Sequence, residues 1–282
     1  MKLFFVNGYD SRLEAYNRRF DRQTPGGNGV WGYLSVTDDP EEADYYVGIQ
    51  GWHKDFIDVP KERRIFIQRE PHIFRSTKLE KFGYKFMYSD SYHTACWWLN
   101  ENYTQLKKMK HNKNLPLSTI ITDDTKKPGQ KLRIKLTCAI NKEIDCLDIY
   151  GRGSEKIFPK SRGFVENKGD ALFPYKRTIC CENTATDGYF SEKFIDSILA
   201  WCKPFYWGCT NLDMFFPKEA YTKIDILDHK KSIRIIKEEL EKPVNIEAIA
   251  EARELILDKY NIWPSVERAI DNIQKRRMDG TL

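Results

Sequence analysis

The chain has 282 residues, of which 41 % are hydrophobic and 13 % aromatic, a composition that supports a buried core and excludes a disordered chain. Its net charge of +5 suits an anionic ligand, but the basic residues are too scattered to indicate a nucleic-acid-binding protein. The seven cysteines include no CxxC pair, which argues against a secreted disulfide framework or a clustered zinc site and favours reduced thiols in the cytoplasm.

The first part of the chain predicts short strands separated by loops and helices. The predicted strands are Leu3–Asn7, Ala43–Gln50, Arg64–Gln68 and Tyr84–Tyr88. A glycine-rich loop lies at Thr24–Gly32, and residues 93–110 predict a helix. No apolar run approaches the roughly 18 residues of a membrane span, so any function at a membrane is expected to depend on surface contacts or a partner.

The second part of the chain alternates strands and helices more regularly. It follows a lysine- and asparagine-rich stretch, Lys107–Pro116, which is the best candidate for a linker between domains. The predicted strands are Leu117–Thr122, Cys146–Tyr150, Arg177–Cys181, Pro204–Trp207 and Tyr221–Leu227, and the predicted helices are Lys131–Asn141, Ser191–Cys202, Lys230–Glu241 and Ile246–Arg277. This alternation predicts a mainly parallel sheet covered on both faces, and two such domains would enclose a ligand cleft.

Residues 175–208 carry the clearest functional pattern. The strand Arg177–Cys181 runs into polar residues, and a helix follows with Ser191 as its N-cap and Lys193 in its first turn. Ligands of open α/β sheets bind at strand carboxyl ends and helix N-termini, where free N–H groups favour a phosphate. A lysine in the first turn opposes the helix dipole, and a bound anion would offset this effect. A solvated helix start is the alternative explanation.

The order and spacing of the motif residues are more specific than this general pattern. They are Tyr175-Lys176, Glu182-Asn183, Tyr189, Ser191-Glu192-Lys193, Asp196 and Pro204-Phe205-Tyr206-Trp207-Gly208. Upstream, the strand Ile120–Asp123, the helical Arg133 and the strand Leu147–Gly151 follow in order. Together these residues resemble the signature of the α-1,3-fucosyltransferases, glycosyltransferase family 10.

The resemblance implies an α/β fold of GT-B type, in which two Rossmann-like domains face each other across a cleft. Residues 1–112 would form the acceptor-side domain, and residues 113–282 the nucleotide-sugar-binding domain, with a terminal helix packing back. Arg133 and Lys193 would pair with the donor pyrophosphate, since the leaving diphosphate needs cationic stabilisation, and Glu192 would bind the ribose. The other predicted donor-binding residues are Glu182, Asn183, Tyr189 and Ser191. The alternative for Arg133 is an ordinary exposed helix residue.

An inverting transfer also requires a base that accepts the proton of the attacking hydroxyl. The family uses a glutamate that follows a strand of the N-terminal domain. Here Glu70 follows the predicted strand Arg64–Gln68 and precedes Pro71, so the resemblance implies Glu70 as the base. His72 and His93 are the competing candidates.

The resemblance implies GDP-fucose as the donor and an oligosaccharide or glycoconjugate hydroxyl as the acceptor. A UDP-sugar such as UDP-xylose on the same scaffold is one alternative. An inactive carbohydrate-binding or scaffold protein is another, although the intact Arg133, Glu192 and Lys193 argue against it. Neither Asp38-Asp39 nor Asp123-Asp124 forms a D-x-D metal site. No obligatory metal is therefore expected, and stimulation by Mg²⁺ or Mn²⁺ is compatible with this expectation.

Overall fold

The computed structural model describes residues 1–7, 17–49, 52, 54–67, 84–86 and 94–280. The chain forms two compact units. The first unit comprises Met1–Cys96, Glu101–Lys108 and Ile256–Leu282, and the second comprises Trp97–Asn100 and Met109–Leu255. The C-terminal segment therefore belongs to the first unit, although it follows the second unit in the sequence.

The described ranges contain the following strands and α-helices. The strands are β1 (Lys2–Asn7), β2 (Val30–Trp31), β3 (Leu34–Val36), β4 (Tyr45–Ile49), β5 (Arg64–Ile67), β6 (Tyr84–Phe86), β7 (Leu115–Ile120), β8 (Leu147–Tyr150), β9 (Tyr175–Cys181), β10 (Lys203–Trp207) and β11 (Thr222–Lys223). The helices are α1 (Tyr103–Lys108), α2 (Pro128–Asn141), α3 (Glu192–Leu199), α4 (His229–Leu240), α5 (Ile246–Glu254) and α6 (Ile262–Met278).

The first unit contains a six-stranded sheet in the order β2-β3-β1-β4-β5-β6. Its strands pair in parallel except for the β2–β3 hairpin. Every residue of β4 and β5 is buried, as expected for parallel strands covered on both faces. Helix α6 contributes Trp263, Val266 and Ile270 to the same core as Phe5 of β1.

The second unit contains a five-stranded, wholly parallel sheet in the order β11-β10-β9-β7-β8. Helices α2 and α4 pack against each other and supply Leu136, Ile140 and Ile236 to a shared core. Helix α3 packs against β9 and β10. The ring of its Phe194 meets the ring of Tyr206 edge-on, with the ring centroids 5.1 Å apart. The prediction of an α/β fold with parallel sheets is confirmed, and most strand bounds move by only one to three residues.

Three predicted elements are wrong in extent. Among the described residues 94–110 of the predicted helix 93–110, only α1 is helical, because residues 94–97 are buried one after another and cannot share a single helix face. Asn102 then starts α1 by accepting the Gln105 backbone N–H at 2.9 Å. The predicted strand Tyr221–Leu227 shortens to β11 because Asp225 turns the chain towards Ser232.

The long predicted helix Ile246–Arg277 is also interrupted. It divides into α5, a π-helical turn at Leu255–Tyr260 and α6. Asn261 causes the break, since its side chain accepts the Trp263 backbone N–H and donates to the Leu257 carbonyl. In the parts of the chain that the structure describes, no helix combines the length and apolar character needed to cross a membrane.

Candidate functional site

A cavity of about 250 Å³ lies in the second unit, towards the carboxyl ends of β7 and β9 and beside the first turn of α3. Three cationic side chains line it: Arg133 from α2, Lys168 from the turn before β9, and Lys193 from α3. Glu192 is the carboxylate among its lining residues. This edge of a parallel sheet is where open α/β folds bind ligands, and the cations favour an anionic ligand.

Glu182, the first residue after β9, is fully buried beneath the start of α3. Its carboxylate accepts hydrogen bonds from the backbone N–H of Ser191 at 2.8 Å and from the Ser191 hydroxyl at 2.6 Å. The ammonium group of Lys193 lies 3.5 Å from Oε2 of Glu182. Burying a carboxylate is costly unless hydrogen bonds and a cation compensate it. Glu182 therefore fixes the positions of Ser191 and Lys193.

The first turn of α3 combines a cap with two charges. Ser191 is the N-cap, and its hydroxyl oxygen accepts from the Lys193 backbone N–H at 3.3 Å. Burial lowers the pKa of Lys193, but the carboxylates of Glu192 and Glu182 outweigh this effect and leave the pKa above its ordinary value. Lys193 is thus charged at neutral pH. These carboxylates also offset the unfavourable position of a lysine at a helix N-terminus.

Arg133 approaches the same cavity from α2. One of its terminal nitrogens donates to the Cys181 carbonyl at 3.2 Å, while Nε is buried and makes no hydrogen bond within the described ranges. Gly129, in the first turn of α2, lies directly against the backbone of Asn183, because a Cβ there would come within 2.0 Å of the Asn183 carbonyl oxygen. This close approach explains a glycine at that position and brings α2 to the end of β9.

The motif residues that follow α3 pack against the buried Glu182 side chain. The hydroxyl of Tyr206 lies 3.5 Å from Oε1 of Glu182 and accepts the Cys209 backbone N–H at 3.0 Å. A Cβ on Gly208 would lie 2.4 Å from Cγ of Glu182, so only glycine fits there without displacement. Tyr189 is buried, and its carbonyl oxygen lies 3.4 Å from the Tyr206 hydroxyl.

The predicted donor-site residues thus occupy two layers. Arg133, Glu192 and Lys193 line the cavity, while Glu182 and Ser191 lie beneath it and fix the start of α3. Among the other predicted residues, Asn183 is partly buried against α2, and Tyr189 is buried next to Tyr206. The predicted base Glu70 and its competitors His72 and His93 lie outside the described residues.

Sequence reasoning did not find Lys168. Its ammonium group lies 2.5 Å from Oδ2 of Asp196, a fully buried carboxylate that also accepts the Trp98 backbone N–H at 2.9 Å. Asp196 carries a signal in the sequence, because it lies one helical turn after Glu192 in the motif. Lys168 begins a single 3₁₀ turn, Lys168–Ala171, before β9, and no periodicity or spacing in the sequence marks it.

A second cavity of about 430 Å³ adjoins the first one and shares Ile120, Thr122 and Lys168 with it. Its other walls carry charged and aromatic groups, namely Asp123, Asp124, Arg152, Phe164 and Glu166. Two glycines allow the close packing behind it: Cβ atoms would lie 1.8 Å from the Ile121 carbonyl oxygen at Gly151 and 2.3 Å from the Asp123 carboxyl carbon at Gly153. Both glycines also have positive φ angles, 128° and 73°, which other residues rarely adopt.

The aspartate pairs considered as metal ligands have other partners. Asp38 pairs with Arg18, and Asp123 lies 2.7 Å from the Lys156 ammonium group. A grouping of three or more His, Cys, Asp or Glu side chains that would suit a metal ion does not occur among the residues described.

No protein-family model matches the chain. Among curated proteins, the α-(1,3)-fucosyltransferase FucT of Helicobacter pylori is 34 % identical over 74 residues, a segment that spans 26 % of this chain and 16 % of that protein. A crystal structure of an α1,3-fucosyltransferase aligns with a TM-score of 0.55 and 16 % identity over 98 % of this chain and 90 % of that chain. A crystal structure of α1,3-fucosyltransferase with GDP-fucose aligns with a TM-score of 0.52 and 16 % identity over 99 % of this chain and 89 % of that one. The chain therefore has the α/β fold of GT-B type, with two Rossmann-like units, and one segment of it is similar in sequence to the family 10 fucosyltransferases.

Proposed function

We propose that the chain is an inverting glycosyltransferase that moves a sugar from a nucleoside-diphosphate sugar to a hydroxyl of a glycan acceptor. The observation that carries this proposal is that Arg133 and Lys193, from separate elements, line one cavity at the carboxyl edge of a parallel sheet. The sequence and fold similarity to α1,3-fucosyltransferases supports fucose as the sugar and GDP-fucose as the donor.

The proposed chemistry breaks the bond between the anomeric carbon of the sugar and an oxygen of the donor diphosphate. Negative charge then grows on the departing nucleoside diphosphate, and preorganised cations stabilise it. Arg133 provides a planar guanidinium suited to two phosphate oxygens. Lys193 provides a charged ammonium group fixed by Glu182 and Ser191. We assign ribose binding to Glu192, whose carboxylate lines the cavity and can accept hydrogen bonds from two hydroxyls.

The proposed base is Glu70, which takes the proton of the acceptor hydroxyl as its oxygen attacks the anomeric carbon from the face opposite the leaving group. Its place after β5 and the family resemblance support this role. We expect Glu70→Gln to bind the nucleotide as the wild type does and to lose transfer. Full transfer by this variant would remove Glu70 from the role and direct the same test to His72 and His93.

We propose that the cations of the site replace an obligatory metal, since Arg133 and Lys193 already bring positive charge to the cavity. The seven cysteines are all free, which supports a reducing compartment such as the cytoplasm.

The proposal is tested by the thermal stability of the protein with GDP, UDP, GDP-fucose, UDP-xylose and UDP-glucose, each with and without Mg²⁺ or Mn²⁺. A ligand at 100 times its Kd stabilises the folded state by about 2.7 kcal/mol. We expect GDP and GDP-fucose to raise the unfolding temperature without a metal. A rise in unfolding temperature with the UDP compounds alone would indicate a UDP-sugar as the donor. If none of the five compounds raises it, an inactive carbohydrate-binding protein is favoured.

A further inference from the structure

Lys168 lies where the two adjoining cavities of the second unit meet. It lines the smaller cavity together with Arg133 and Lys193, and it also lines the larger cavity beside Phe164. A ligand that extends from one cavity into the other therefore passes the Lys168 side chain. A nucleoside diphosphate is such a ligand, because its anionic part and its base occupy separate regions.

The Lys168 side chain is fixed by a carboxylate that has no exposure of its own. Asp196 pairs with it at 2.5 Å and is anchored in turn by the backbone N–H of Trp98. A buried ion pair adds little net stability, because desolvation of both charges offsets their attraction. Lys168 keeps 23 % of its side chain exposed, so the pair leaves a positioned cation at the cavity wall.

The charge balance of the cavity leaves a place for this third cation. Lys193 lies within 3.5 Å of both Glu182 and Glu192, so these carboxylates already compensate much of its charge. Arg133 forms no ion pair with a described residue, but a departing diphosphate carries more than one negative charge. Lys168 is itself paired with Asp196, but its ammonium group has three N–H donors and can add a charged donor beside the phosphates.

We infer that Lys168, positioned by Asp196, is a third cation of the donor site and donates hydrogen bonds to the phosphates of a nucleoside diphosphate that extends across both cavities. This inference rests on the proposed function, since it requires that the site bind a nucleotide. Lys168 is thus a binding residue, and Asp196 is a positioning residue that acts through it.

The test compares binding of GDP and of guanosine by Lys168→Met, by the double variant Lys168→Met with Asp196→Asn, and by Lys168→Arg. Lys168→Met removes the charge but leaves Asp196 buried without its cation, so it is expected to lower the unfolding temperature. The double variant removes both charges and is expected to recover much of that loss. Lys131→Met is the matched control, because Lys131 is an exposed lysine of α2 that lines neither cavity.

A hydrogen bond to a charged group contributes about 1.5–3 kcal/mol, which corresponds to a roughly 10- to 100-fold change in Kd. We expect Lys168→Met and the double variant to lose GDP affinity by about this factor, with guanosine affinity nearly unchanged. Lys168→Arg should keep most of the GDP affinity, and Lys131→Met should keep all of it.

The outcomes separate the inference from the proposal beneath it. Recovery of full GDP affinity in the double variant would show that Lys168 acts only through folding and would overturn the inference. Equal losses of GDP and guanosine affinity would also overturn it. Guanosine has no phosphate, so the loss of a phosphate contact cannot lower its affinity. If the wild type binds GDP and Lys168→Met binds it equally well, only the role of Lys168 fails. If the wild type binds neither GDP nor UDP, the proposed function fails and the inference fails with it. Should UDP bind in place of GDP, the same comparison is made with UDP and uridine.

Discussion

At the scale of single residues, buried carboxylates position the lysines of the candidate site. Glu182 lies beneath Lys193 and Asp196 lies beneath Lys168, and both carboxylates are fully buried. Each carboxylate has further hydrogen-bond donors, which compensate the cost of burying its charge. This arrangement restricts two long side chains that would otherwise lose conformational entropy when a ligand binds.

Arg133 allows a direct test of the anion site, because its guanidinium forms a hydrogen bond with a carbonyl and no ion pair with a described residue. We expect Arg133→Met to weaken GDP binding by roughly tenfold or more, since one charge-assisted contact is lost. The effect on the unfolding temperature should be small. Lys135→Met, on the exposed face of the same helix, is the matched control, and titration calorimetry measures both. Unchanged affinity in Arg133→Met would contradict the donor-site assignment.

At the scale of secondary-structure elements, Lys113 connects the start of β7 to two neighbouring segments. Its ammonium group donates to the carbonyls of Leu172 and Phe173, before β9, and of Ala200, at the end of α3. Burial, together with a smaller effect of the nearby Arg253 charge, lowers the pKa of Lys113 to about 8. The elements that form the site therefore share a partly buried cation that is expensive to keep charged.

This lowered pKa predicts a pH dependence of stability. Between pH 8 and the ordinary value of 10.5, the unfolded chain binds more protons at Lys113 than the folded chain, so the free energy of unfolding rises with pH. Below pH 8 Lys113 is protonated in both the folded and the unfolded chain, so the full cost of burying its charge remains. The wild type should therefore gain stability relative to Lys113→Met as the pH rises from 7 to about 9.5.

Chemical denaturation at each pH measures this difference. Lys110→Met, which removes an exposed lysine three residues away, is the control for losing a lysine from this segment. A stability difference between the wild type and Lys113→Met that does not change with pH would show that Lys113 is not desolvated in the folded protein.

At the scale of the whole molecule, the first unit is completed by the last helix of the chain. Helix α6 inserts Trp263 into the core, where its indole N–H donates to the Phe20 carbonyl at 3.0 Å and its ring lies 5.6 Å from that of Phe5. The core of this unit thus joins residues from both ends of the sequence. The apolar face of α6 covers part of that core, so the first unit depends on this helix for its packing.

We expect Trp263→Ala to destabilise the first unit by about 3–5 kcal/mol, the usual cost of truncating a buried aromatic side chain. That is a large part of the roughly 5–15 kcal/mol that stabilises a typical domain. Met278→Ala, at the exposed end of the same helix, should change stability by less than about 0.5 kcal/mol. Denaturant unfolding followed by tryptophan fluorescence compares them, and equal stability of the two variants would contradict this role of α6.

The sequence by itself determined the α/β class and the identity of the motif. Residues 182–208 are close in sequence, so the end of the strand, the helix cap and the first helical turn follow one another along the chain. Local chemistry is enough to predict such features, and Ser191 is the N-cap of α3, as expected. The family resemblance also indicated Arg133 as a donor-site candidate, and in the structure this residue lines the cavity.

Only the tertiary structure decided which side chains face the cavity and which support it from below. Glu182 and Glu192 are equally polar in the sequence, yet one is buried beneath the site and the other lines the cavity. Lys168 lines the cavity because α3 packs on the parallel sheet and places Asp196 beside it. The helix break at Asn261 depends on the Asn261 side chain, which donates a hydrogen bond to the Gln23 carbonyl. Such contacts depend on the register of strands and the packing of helices distant in sequence, and no local propensity or periodicity encodes them.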